Sequence, residues 1–138
     1  MDDGLIWLRL PAAMPSLMQF HEFAHEGART AGLTEAQVHK LDLLIEELLV
    51  NVIHYAYPPG ESGQAAMGYA VVEPQCLRVE IQDSGKEFNP LEAGDPDLEL
   101  STEDRPIGGL GIYLVKTMAD SVSYRREDGK NILAFQLR

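Results

Sequence analysis

The sequence predicts an α+β fold, a two-layer α/β sandwich with a mixed, mostly antiparallel sheet and helices on one face. Three observations predict it. Two helical stretches with apolar residues at three-to-four spacing follow a single opening strand. Two strand pairs, each joined by a short turn, stand on either side of a long segment without periodicity. The hydrophobic fraction of 45% and charged fraction of 24% are those of a globular chain, and 138 residues suffice for one core. The order β-α-α-β-β, aperiodic segment, α-β-β leaves the helices to cover one side of the sheet. Residues 1–138 read as a single domain, with no repeat and no linker.

Each element has its own signal. Leu5 to Leu10 alternate loosely around Trp7 as a strand, ended by Pro11. Leu17, Phe20, Ala24 and Ala28 recur at helical spacing, with Ser16 as N-cap and Gly32 as the stop. Thr34 and Gln37 have the spacing of a capping box for a helix from Glu35 to about Tyr55. Its apolar face is Val38, Leu41, Leu44, Ile45, Leu48 and Val52, and Pro58-Pro59-Gly60 ends it. Residues 65–72 and 77–82 read as antiparallel strands joined by Glu73-Pro74-Gln75. Residues 84–107 contain Pro90, Pro96 and Pro106, and between Glu92 and Asp104 six carboxylates and no cation. A connection this long is functional or disordered. Gly108 to Ala119 is a short helix, and strands at 122–125 and 132–137 meet at a turn on Asp128-Gly129.

Charge and composition exclude several classes of partner. A net charge of −11, from 22 acidic and 11 basic residues, repels phosphodiester backbones and anionic membrane surfaces. No nucleic acid and no membrane is therefore expected as partner. Acidity does not exclude ATP, because Mg²⁺ and a few local donors neutralise a triphosphate. The lone Cys76 permits no internal disulfide, and the N-terminus shows no basic region before an apolar stretch. The chain reads as cytoplasmic.

Three separated patches make chemical sense together. Glu47 and Asn51 lie one turn apart on one helix face, and His54 extends that stripe. An amide oxygen is a suitable hard ligand for Mg²⁺, and a carboxylate one turn away can accept a proton from an attacking hydroxyl. The plain alternative is a solvated polar face. Asp83-Ser84-Gly85 ends a strand, so the carboxylate can accept from an exocyclic amine while Gly85 admits a flat base; an ordinary Asp-Ser-Gly turn is the alternative. Gly108-Gly109-Leu110-Gly111 opens a helix and presents backbone N–H groups to an anion, or is a flexible hinge with a cap.

Together these patches resemble the GHKL, or Bergerat-fold, ATPases, and most closely the small bacterial anti-sigma-factor serine/threonine kinases. Residues 46–57 look like the first ATP box of that branch, Asp83 to Pro90 its second and Gly108 to Met118 with Asp120 its third. Tyr124 and Gly129-Lys130-Asn131 are also similar to that branch. The resemblance implies that Asn51 holds Mg²⁺, that Glu47 is the general base, and that Asp83 binds the adenine amine. Residues 84–107 become the ATP lid, with Lys86 and Arg105 as candidates for the γ-phosphate. It further implies phosphorylation of a STAS-domain anti-sigma-factor antagonist, a sigma factor as a second partner, and a homodimer as one arrangement. Glu87 stands where many relatives have a second glycine, and an acidic side chain there gives no help to phosphates.

Three other readings compete. His21-Glu22-Phe23-Ala24-His25 is a literal H-E-x-x-H zinc-protease motif, but zinc needs a third protein ligand, for which Glu46 is the sterically conceivable choice. The chain leaves little room for a substrate channel, so these histidines are expected to bind no zinc. A detached histidine-kinase catalytic domain would bring an aromatic-proline lid box and a phosphoacceptor helix pair, and neither is present. A nucleotide-gated binding module without phosphotransfer would carry the same motifs.

Overall fold

The computed structural model describes residues 4–61, 63–92 and 115–138. Five strands form one sheet: β1 (Ile6–Pro11), β2 (Gln64–Glu73), β3 (Cys76–Asp83), β4 (Ser121–Glu127) and β5 (Lys130–Leu137). Their order is β1-β2-β3-β5-β4, and every pairing among them is antiparallel. Among the described residues, α1 (Leu17–Ala31) and α2 (Glu35–Asn51) supply the second layer. No helix among the described residues is long and apolar enough to cross a membrane.

Local chemistry explains most element ends. Gly32 takes the left-handed conformation at φ 72° and closes α1 by donating to Ala28 O and Arg29 O. Both halves of the Thr34–Gln37 capping box are made, at 3.2 and 2.8 Å. Ser16 heads α1 but makes no side-chain cap; a 3₁₀ turn over Met14–Ser16 leads into the helix instead. Pro11 is the last residue of β1, paired opposite Gln64, so the strand ends at the proline as expected. β1 is an edge strand, where a missing N–H is tolerated. Asp128 and Gly129 both have positive φ, 52° and 75°, as a two-residue hairpin turn requires.

The core lies between the helices and one face of the sheet. Phe20, Ala24 and Ala28 of α1 and Leu41, Leu44, Ile45, Leu48 and Leu49 of α2 are buried against the strands. Alternation brings Leu77, Val79 and Ile81 of β3, and Leu133, Phe135 and Leu137 of β5, into that core. Gly27 brings α1 close to β2, since a Cβ there would stand 2.8 Å from the Tyr69 ring. On the opposite face Glu80 is buried, 3.1 Å from Arg78 and 3.6 Å from Arg125. The alternation that fills the core carries on to the strand ends, where it delivers polar residues.

Candidate functional site

The period of two that places Leu77, Val79 and Ile81 inward places Asp83 inward as well. On β5 the same period runs backward from Leu137, Phe135 and Leu133 to Asn131. The β3–β5 register sets Asp83 directly opposite Asn131, so two polar side chains face each other at the end of an apolar layer. Both are buried, at 8% and 7% exposure. They form one wall of a cleft that is also lined by Leu48, Ile81 and Leu133. The cleft is apolar with a few convergent polar groups, the usual character of a small-molecule site.

Asp83 is held on one side only. Its Oδ1 accepts from the Gly85 N–H and from Asn131 Nδ2, both at 2.9 Å. Among the described residues nothing engages Oδ2, which leaves an acceptor for a donor in the cleft. Asn131 is fully used: Nδ2 also donates to Lys86 O at 2.7 Å, and Oδ1 accepts from Tyr124 Oη at 2.6 Å and the Phe88 N–H at 3.2 Å. Burial, then the charge of Glu87, raises the Tyr124 pKa above the ordinary tyrosine value, so the phenol remains a donor at neutral pH. These bonds fix the Asn131 amide and, through it, the orientation of the Asp83 carboxylate.

Gly85 makes a close contact within the protein. A Cβ there would stand 2.0 Å from the Ala56 carbonyl oxygen, so the missing side chain lets the loop after β3 meet the end of the helical layer. The Lys86 N–H donates to that same oxygen at 3.0 Å, and Arg126 donates to Gly85 O at 2.9 Å. Tyr57 braces the loop further, accepting from the Ser84 N–H at 3.0 Å and donating to Gln64 O at 2.6 Å.

The helical wall is built otherwise. Asn51 closes α2, and a π-helical turn over Val52–Ala56 follows without a break. Such turns are frequent at functional sites. In this wider turn Tyr55, four residues on, joins Asn51 and Val52 on the cleft wall, while His54 is exposed and does not line it. The single α-helix expected as far as Tyr55 is thus an α-helix ending in a π turn. Glu47 is half-buried one turn before Asn51 and does not line the cleft in this conformation.

The structure therefore brings Asn51 and Asp83 to one cleft, with Phe88 and Pro90 of the loop after β3 also lining it, while Lys86 in that loop is exposed and does not line it. Residues 93–107 of the predicted lid, Arg105 within them, lie outside the described residues, as do Gly108, Gly109, Leu110 and Gly111. Among the described residues sequence reasoning gave no role to Asn131, Tyr124, Tyr55 or Tyr57. Asn131 carried a usable signal, being a polar residue in phase with Leu133, Phe135 and Leu137. The tyrosines entered the sequence reading only through the resemblance, Tyr124 by itself and Tyr55 and Tyr57 within residues 46–57, and no spacing rule gave them a task.

Comparison with known proteins agrees with this geometry. Residues 10–137 match the family described as the histidine kinase-like ATPase domain. The chain is 28% identical over 133 residues to the serine-protein kinase RsbW of Listeria monocytogenes serovar 1/2a, covering 93% of this chain and 83% of that one. It is 30% identical over 93 residues to the serine/threonine-protein kinase BtrW of Bordetella bronchiseptica, covering 67% and 65%. Among solved structures it resembles the RsbU and RsbW domains of a Mycobacterium tuberculosis protein, with a TM-score of 0.67 at 12% identity. That likeness covers 97% of this chain but 31% of the solved one, and it speaks for the fold. The chain belongs to the histidine kinase-like ATPase family.

Proposed function

We propose that this member of the histidine kinase-like ATPase family is an ATP-dependent serine/threonine protein kinase of the anti-sigma-factor type. It transfers the γ-phosphoryl group of ATP to a serine or threonine of a STAS-domain antagonist, in a partner-switching pathway of the cytoplasm. A sigma factor is its second partner, and residues 1–138 act as a single catalytic domain. The observation that carries the reading is Asp83, a buried carboxylate at an apolar cleft with one oxygen fixed and the other, among the described residues, without a partner. A purine with an exocyclic amine satisfies both halves of that environment, its faces against Ile81, Leu133 and Val52 and its amine on Oδ2. The relatives named RsbW and BtrW, all called protein kinases, support the phosphotransfer half.

The roles of this chain's residues follow. Asp83 orients the base, and Asn131 holds Asp83. Asn51, on the opposite wall, offers its amide oxygen as the ligand for Mg²⁺, which spreads the phosphate charge when bound. Glu47, one turn earlier, takes the proton of the attacking hydroxyl. Lys86 and Arg105 serve the γ-phosphate, and the glycine turn at 108–111 offers backbone N–H groups to the chain of phosphates.

A second reading, a nucleotide-gated binding module without phosphotransfer, is favoured by one observation: Glu47 does not line the cleft. Glu47→Gln separates the two. In the kinase it retains ATP affinity and lowers phosphotransfer to the cognate STAS protein by about 10²–10⁴-fold, measured with γ-labelled ATP. A wild type that binds Mg-ATP and labels no STAS partner leaves only the binding module.

A further inference from the structure

His21 and His25 stand one turn apart on α1 and present their rings on the same side, toward α2. There they meet Asp42, not Glu46, the residue that spacing alone had offered as a third ligand. His21 Nδ1 is 3.0 Å and His25 Nε2 is 2.7 Å from the same oxygen, Asp42 Oδ1. All three donor atoms lie within 4.8 Å of one another. The side chains are 21%, 37% and 38% exposed, so the cluster is seated between the helices yet open to solvent.

We propose that His21, His25 and Asp42 form a site for a borderline divalent metal ion of the zinc class, which ties α1 to α2. Two neutral imidazoles and one carboxylate are a ligand set of the kind such ions take. Donors around a tetrahedral zinc at its usual bond lengths stand about 3.3 Å apart, a little more than the two histidine–aspartate spacings of 3.0 and 2.7 Å. Ion entry displaces the shared hydrogen bonds, moves the imidazole protons to the far ring nitrogens, and leaves the fourth position to water. The −11 net charge favours a cation at this open flank. Glu22 of the motif has no part in the site, and no hydrolysis is proposed. The ion is a clamp on the helix pair whose second member carries Asn51. The site is separate from the nucleotide cleft, so it stands or falls independently of the kinase reading.

The test is calorimetric titration of untagged, chelator-treated protein with zinc chloride alone, paired with thermal melts. The wild type takes up one zinc per chain, and its melting temperature rises by about 10 °C at a free zinc concentration of about 100 Kd. Asp42→Asn keeps a hydrogen-bond acceptor for both rings and so keeps the fold, but it loses the uptake and the shift. His25→Gln loses them too, whereas His39→Gln, which alters an exposed histidine outside the cluster, keeps both. No uptake by the wild type overturns the proposal. So does uptake that survives His25→Gln and Asp42→Asn, or that disappears in His39→Gln, because the ion then sits elsewhere.

Discussion

The two walls of the cleft are built on different principles. On the sheet wall, Asp83 is locked by hydrogen bonds that cross from β3 to β5 and on to Tyr124 of β4. On the helical wall, Asn51 stands where an α-helix passes into a π turn, and among the described residues its side chain makes no hydrogen bond. One wall is fixed before any ligand arrives, while the other offers a free amide on a turn that differs from the helix before it. The contrast suits the two halves of a nucleotide. A base has one shape and rewards a rigid partner, whereas a metal-phosphate group carries its own ligands and rewards a side chain with its oxygen uncommitted.

Substitutions on each wall can break that comparison. The largest effect on stability is expected at Gly85→Ala, because the new Cβ meets the backbone carbonyl of Ala56 rather than a side chain that can turn away. It should cost about 3 kcal/mol in denaturant unfolding, and a cost under about 1 kcal/mol would mean the loop is not pinned there. Asn131→Ala removes every bond that Asn131 makes with Asp83, Lys86, Phe88 and Tyr124. A stability loss of about 2 kcal/mol and roughly tenfold weaker ADP binding are expected, read by the same unfolding assay and by calorimetry. Unchanged ADP affinity would show that Asp83 is positioned without it. Asn51→Ala should be the mildest for the fold, under about 0.5 kcal/mol, yet should abolish the Mg²⁺ dependence of nucleotide binding. A large stability loss there would erase the distinction between the walls.

The contrast also explains what was legible in the sequence. Hydrophobic periodicity fixes which face of a strand or helix is buried, so the α+β sandwich, the strand pairs and the apolar face of α2 could be read directly. Boundaries followed where a cap or turn is local, as at Thr34–Gln37, Gly32 and Asp128-Gly129. Pro11 ends β1 as expected, whereas Ser16 makes no side-chain cap because a 3₁₀ turn leads into α1 instead. The π turn was invisible, since Val52–Ala56 contains no glycine or proline to announce it. In that turn Tyr55 lines the cleft while the neighbouring His54 is exposed. Asp83 was legible as a strand-end carboxylate, but its partner Asn131 is 48 residues away and needed the β3–β5 register. Asp42 was missed as a neighbour of the HExxH pair for a like reason, because helix-to-helix packing sets that contact.

The most direct test of the nucleotide site is a calorimetric titration of Mg-ATP into the wild type and into Asp83→Asn. The wild type should bind one nucleotide with micromolar affinity. Asp83→Asn exchanges a charged acceptor for a neutral one at the free oxygen, so it should lose about 1.5–3 kcal/mol of binding, roughly 10- to 150-fold in affinity. The absence of nucleotide binding by the wild type, or equal affinity in both proteins, would contradict the assignment of Asp83 as the base-reading residue.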